Sequence, residues 1–204
     1  MRPIPGYPRT RELAMDWGAR LHAEKGLTYG DGLPYRVHLE AVDAVLVRFG
    51  FSDPDNPVHQ NLRTAAPLHD LKEDVGVGPV TIRVLHGPDV LDLVEAVTSE
   101  PGKNRAEKVA ATLPKTRAAG QWAVVLKLAD RIANVEASAP GSRHLEMYRS
   151  EYPAFRGALY QAGEPSEAMW AHLDQLIKAA PELATEEPKP ASQPAAAEPQ
   201  ARIV

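Results

Sequence analysis

Residues 59–75 read HQNLRTAAPLHDLKEDV, and this stretch carries both the helical period and the densest group of ionisable side chains in the chain. Leu62, Ala65, Ala66 and Leu68 recur at helical spacing, so the segment is expected to be a helix that ends before the turn Gly76-Val77-Gly78. Pro67 lacks an N–H and crowds the preceding turn, so it should kink this helix or split it in two. On a continuous helix His69 would stand above Glu73, and Asp70 above Asp74. Two metal-capable side chains would then share one level, with two carboxylates a turn further on. Crowded negative charge is unfavourable on an isolated helix, and a bound cation would offset that cost. A solvated acidic turn accounts for the same residues.

Working outward, FSDPDNP at 51–57 is a loop by composition. YRVHLEAVDAVLVRFG before it reads as a helix closed by Gly50, and LTYGDGLP at 27–34 as a glycine-rich turn. RELAMDWGARLHAEKG places Leu13, Trp17 and Leu21 on one face of a first helix, with Thr10 as cap and Gly26 as stop. The proline- and arginine-rich first ten residues read as an extended arm. Downstream, residues 80–87 (VTIRVLHG) admit a short helix opened by Pro79 or a strand. PDVLDLVEAVT, NRAEKVAATL and QWAVVLKLADRIANVEA each have a helical period. A last pair of helices is expected over 143–160 and 165–179. The fold class is therefore all-α: a single helical domain over 8–180, followed at 181–204 by a Pro/Ala/Glu-rich tail expected to be disordered.

With 204 residues, 44% hydrophobic, the chain is long enough for one core. It has no cysteine, which removes disulfides, thiolate ligands and a cysteine nucleophile. No apolar run approaches 18 residues and the start lacks the apolar core of a secretory signal, so a cytoplasmic protein without membrane attachment is expected. The 23 Lys and Arg against 27 Asp and Glu give a net charge of −4, which argues against broad binding to nucleic-acid backbone. A small anionic substrate is still admitted, because a few local cations and a metal reverse the potential inside a cleft. No GxSxG, GxxxxGK[ST] or GxGxxG string is present.

Two further segments hold candidate ligands. His38 sits in the apolar helix RVHLEAV, either as a core histidine or as an imidazole presented to a metal. In VVLKLADRIANV, the residues Lys127, Asp130, Arg131 and Asn134 form a polar stripe on an otherwise apolar helix. That stripe is either a surface network or the wall of a cleft in which Asp130 completes a ligand set. Two histidines and two aspartates suit manganese, iron or zinc better than calcium or magnesium. Such an ion would activate water against a phosphoryl centre, with Glu73 or Asp74 orienting that water or taking its proton.

In order, His38, His69-Asp70 and Asp130 resemble the H…HD…D pattern of the HD-domain phosphohydrolases. The islands HAEKGLTYGDGLPYRVHLEAV, AAPLHDLKED, VLDLVEAVT and VVLKLADRIANV resemble corresponding segments of RelA/SpoT-type alarmone hydrolases, and cover much of 10–136. The resemblance implies an HD-domain helical bundle and a small stand-alone hydrolase. It implies one metal, usually manganese, on His38, His69, Asp70 and Asp130, with Glu73 and Asp74 serving the attacking water. Arg20, Lys25, Lys127, Arg131 and Asn134 become candidates for substrate contacts. The implied reaction removes the 3′-pyrophosphate of guanosine tetra- or pentaphosphate (ppGpp, pppGpp). Three features depart from the pattern: few basic residues follow His22, Pro67 stands at an aliphatic position, and DPDNP adds acidity. They leave two further readings: hydrolysis of another nucleotide, such as an adenosine alarmone or NADPH, and a non-catalytic nucleotide-sensing module.

Overall fold

The computed structural model describes residues 11–179. The amino-terminal arm, the Thr10 cap and the 181–204 tail lie outside the described residues. Nine α-helices are present among the described residues: α1 Arg11–Glu24, α2 Arg36–Arg48, α3 Pro57–Ala65, α4 Pro79–His86, α5 Pro88–Val97, α6 Arg105–Ala118, α7 Gln121–Ala137, α8 Arg143–Leu159 and α9 Glu167–Ala179. The all-α expectation holds.

α7 organises the bundle. Val124, Val125, Leu126, Leu128, Ala129 and Ile132 are completely buried, as expected of a helix that is apolar almost all round. It packs against α2, α3, α5, α6, α8 and α9. α2 brings Leu39, Val42 and Leu46 to the same core.

The connection from α3 onward sets the site. Asn56 caps α3, its side-chain oxygen accepting from the Val58 amide at 2.9 Å, and Pro57 takes the first turn. The helix stops at Ala65. Pro67 imposes a 3-10 turn over Ala66–Leu68, and His69-Asp70 follow as a tight turn. One wide π-type turn then covers Leu71–Val75 and ends at Gly76, whose φ of 81° a side chain would disfavour. The break expected at Pro67 is present, but it leaves three pieces rather than two, and His69/Glu73 and Asp70/Asp74 do not share an α-helical register.

Residues 80–86 are helical, with Pro79 in the first turn and Ile82 buried. α6 continues through Pro114 to Ala118, further than expected. The 27–34 turn contains a short antiparallel hairpin, β1 Thr28–Tyr29 and β2 Leu33–Pro34, with Tyr29 opposite Leu33. No helix among the described residues is long and apolar enough to cross a membrane.

Candidate metal centre

α2, the His69-Asp70 turn and α7 converge at one point. His38, His69 and Asp130 offer donor atoms that all lie within 4.8 Å of one another. His38 Nε2 is 3.4 Å from His69 Nε2, and each lies 3.6 Å from Asp130 Oδ1. Asp70 Oδ2 is 3.0 Å from His69 Nε2 and 3.5 Å from His38 Nε2. Both imidazoles are buried.

The His69 ring is oriented by a bond that leaves one nitrogen for the site. Its Nδ1 donates to the Ala66 carbonyl, one 3-10 turn back, at 2.7 Å. In the neutral ring Nε2 is then a lone pair facing the cluster. Burial disfavours imidazolium at His69, but the adjacent Asp70 and Asp130 carboxylates outweigh it and raise its pKa well above the ordinary value. Burial would raise the pKa of Asp70; the charge on His69 and bonds from His38 and His69 instead draw it well down. At Asp130 burial is likewise overcome, chiefly by Lys127 and then by His69. Two buried imidazole nitrogens and two carboxylate oxygens gathered at one point make a mixed nitrogen and oxygen donor set, which fits a divalent metal.

The cluster faces a cleft of about 190 Å³ whose walls include Glu73, Lys127, Arg105 and Tyr148. Glu73 accepts from the Ser99 amide at 2.5 Å. Lys127 Nζ donates to the Val97 carbonyl at 3.2 Å and lies 3.5 Å from Asp130 Oδ2. Asp74, the other expected catalytic carboxylate, does not line the cleft; it lies 3.7 Å from His22 Nε2 and next to Tyr35.

Of the five expected substrate contacts, two lie away from the cleft, and two of the three that line it are engaged with other protein groups. Arg20 and Lys25 do not line the cleft: Arg20 pairs with Glu24 one turn on, at 2.8 Å on the outer face of α1, and Lys25 is exposed at its end. Arg131 borders the cleft, but its guanidinium is committed to Glu151 at 3.0 Å and lies between the rings of Tyr148 and Phe155 at 4.6 and 4.5 Å. Asn134 donates to Asp130 Oδ1 at 2.6 Å, which makes it a brace for that carboxylate.

No family model and no curated protein matches the sequence. Among solved structures, a metazoan ortholog of SpoT that hydrolyses ppGpp superposes with a TM-score of 0.68 at 19% identity, over 88% of this chain and 97% of the other. Protein lmo0812 of Listeria monocytogenes EGD-e superposes with a TM-score of 0.57 at 23% identity, over 75% of this chain and 98% of the other. The fold is an HD-domain-like helical bundle.

Within that bundle, several cleft residues escaped the reading of the sequence. Tyr35 donates to Asp70 Oδ2 at 2.6 Å, and Tyr29 donates to Asn134 Oδ1 at 3.2 Å. Arg105 opens α6 and reaches Glu151 at 2.5 Å beside the cleft. Tyr35 stands one turn before His38 in the string PYRVH, which is the signal that would have found it. Arg105 had none, because an arginine at the start of a surface helix is commonplace.

Proposed function

We propose that this protein is a metal-dependent phosphohydrolase that removes the 3′-pyrophosphate of ppGpp and pppGpp, using manganese held by His38, His69, Asp70 and Asp130. The observation that carries the reading is the meeting of two buried imidazoles and two carboxylates at the floor of a cleft walled by an acid and a cation, Glu73 and Lys127. The fold shared with a ppGpp-hydrolysing protein supports the substrate assignment.

A divalent ion in this nest supplies Lewis acidity, acidifying water and polarising a phosphoryl oxygen. Glu73 is the cleft carboxylate that takes the proton of the attacking water. Asp74, outside the cleft and beside His22, is the less well placed of the two expected carboxylates. Lys127 meets negative charge growing on the phosphoryl group as the bond from phosphorus to the 3′ oxygen breaks. GDP or GTP and pyrophosphate leave.

Purified protein with ppGpp and Mn²⁺ should give GDP and pyrophosphate, and Asp70→Ala should lower the rate at least a hundredfold. Turnover unaffected by Asp70→Ala overturns the ligand set. A second reading, a different phosphorylated nucleotide, draws support from the pairing of the cleft arginines: Arg105 and Arg131 both engage Glu151, and Arg20 and Lys25 lie away from the cleft. A panel including NADPH and adenosine alarmones separates the two, and faster turnover of any panel member than of ppGpp decides for the second. Stoichiometric nucleotide binding with no product would make the protein a sensor.

A further inference from the structure

The glycine-rich turn LTYGDGLP, residues 27–34, together with Tyr35 directly after it, delivers two phenols to the metal cluster from one side. Gly30 and Gly32, with φ of 54° and 88°, let the chain reverse tightly enough for β1 and β2 to pair. Tyr29 and Tyr35 stand edge to face at 6.3 Å. We propose that this hairpin is a positioning device, in which Tyr35 and Tyr29 hold the two carboxylates and one imidazole of the cluster in the arrangement that binds a divalent ion. The proposal rests on the metal reading above and adds to it residues that do not themselves bind metal.

Each of the three contacts leaves its target with one orientation. Tyr35 Oη–H donates to Asp70 Oδ2, the oxygen that also faces both imidazoles. One lone pair is thereby used on the outside and the other directed inward. Asp130 is held at one remove. Tyr29 donates to Asn134 Oδ1, and a hydroxyl on the amide oxygen turns the amide nitrogen the other way, toward Asp130 Oδ1 at 2.6 Å. Without Tyr29 the amide of Asn134 loses that reason to prefer one flip over the other.

His38 completes the set. Its Nδ1 is buried with no hydrogen-bond partner, so the outer bond that usually orients a liganding histidine is missing. Rings replace it: Tyr29 stacks on His38 at 4.8 Å and 25°, and Tyr35 meets it edge-on at 5.5 Å. Tyr35 is itself backed by His22, parallel to it within 4° at 4.0 Å and tied through Nδ1 to the Gly18 carbonyl. The hairpin thus rests on α1 and presses on the cluster.

The test measures Mn²⁺ affinity by calorimetry on the full chain without substrate, so that the readout is independent of turnover. Tyr35→Phe keeps all three ring contacts and removes only the hydroxyl; its Kd for Mn²⁺ should rise by about tenfold or more. Tyr29→Phe should raise Kd less, and should change it by under twofold in an Asn134→Ala background, because its effect passes through that amide. Circular dichroism and Tm of the metal-free variants should match the wild type, which a purely structural role for the tyrosines would not give. A Tyr35→Phe Kd within twofold of wild type, with wild-type binding intact, overturns this inference and leaves the metal reading standing. Tyr29→Phe acting equally with and without Asn134 overturns the Asp130 arm. A wild-type protein that fails to bind Mn²⁺ overturns both inference and metal reading.

Discussion

His69 and Asp70 adjoin in the chain but are held from opposite sides, the first by the Ala66 carbonyl and the second by Tyr35. Because Asp70 and Asp130 keep His69 protonated above the pH at which a free imidazole loses its proton, Mn²⁺ has to displace that proton. The sign follows directly. Mn²⁺ affinity should weaken by about tenfold per pH unit as pH falls below the raised pKa of His69, and level off above it. Calorimetry at pH 7 in buffers of different ionisation enthalpy should register release of about one proton per ion; zero release would show that the cluster is already unprotonated. Arg131 belongs with structure. Arg131→Met keeps the buried stem but loses the Glu151 pair and both ring contacts, while Glu151 retains Arg105. Urea unfolding should show a loss of about 1–3 kcal/mol, with Mn²⁺ affinity little changed. Residue type and spacing marked His38, His69 and Asp130, whose donor atoms the fold brings together, as candidates, with Asp70 beside them. They did not show where Arg131 points, because its partner Glu151 lies on α8, an element the stripe on α7 says nothing about.

At the scale of elements, the informative pairing is Gly18 on α1 against Pro67. A Cβ at Gly18 would lie 2.3 Å from the Pro67 carbonyl oxygen, so the bare backbone of α1 is what lets it reach the broken segment. Inside a helix, Gly→Ala ordinarily stabilises by about 0.5–1 kcal/mol. Here the clash is with backbone and should reverse the sign. Gly18→Ala is expected to cost about 1–3 kcal/mol in urea unfolding, and to displace His22, whose Nδ1 hangs on the Gly18 carbonyl. A gain in stability would mean that α1 can retreat freely. The α-helices were legible because their apolar positions repeat and ends such as Pro79 and Gly50 are marked, whereas Asn56 and Pro57, read as loop, turn out to open α3. The break at Pro67 was legible as a break; its form was not, since a 3-10 turn followed by a wide turn depends on the packing of α1 and α2 against Ala66–Leu68. The hairpin escaped because strands of two residues fall below any periodic signal.

Across the whole molecule, the cluster is a junction between distant parts of the chain. Residue 38 comes from α2, residues 69–70 from the broken segment and residue 130 from the central helix α7, and each of these elements is anchored in the same core. An ion bound there ties them together in the folded state and has no such set of ligands in the unfolded chain. Binding to the folded state alone stabilises by about 2.7 kcal/mol at a hundred times Kd. For a domain of this size each kcal/mol moves Tm by about 2–4 °C, so saturating Mn²⁺ should raise Tm by about 5–10 °C and chelation should reverse the rise. Asp130→Asn should abolish the shift, because an amide keeps the shape of the side chain but not the charge that opposes the ion. Its metal-free Tm should stay close to that of wild type: Asp130 loses attraction to Lys127 and His69 while Asp70 loses a like-charged neighbour. A wild-type Tm indifferent to Mn²⁺ at every concentration would mean that the three elements meet for packing alone, and the hydrolytic reading would lose its physical basis.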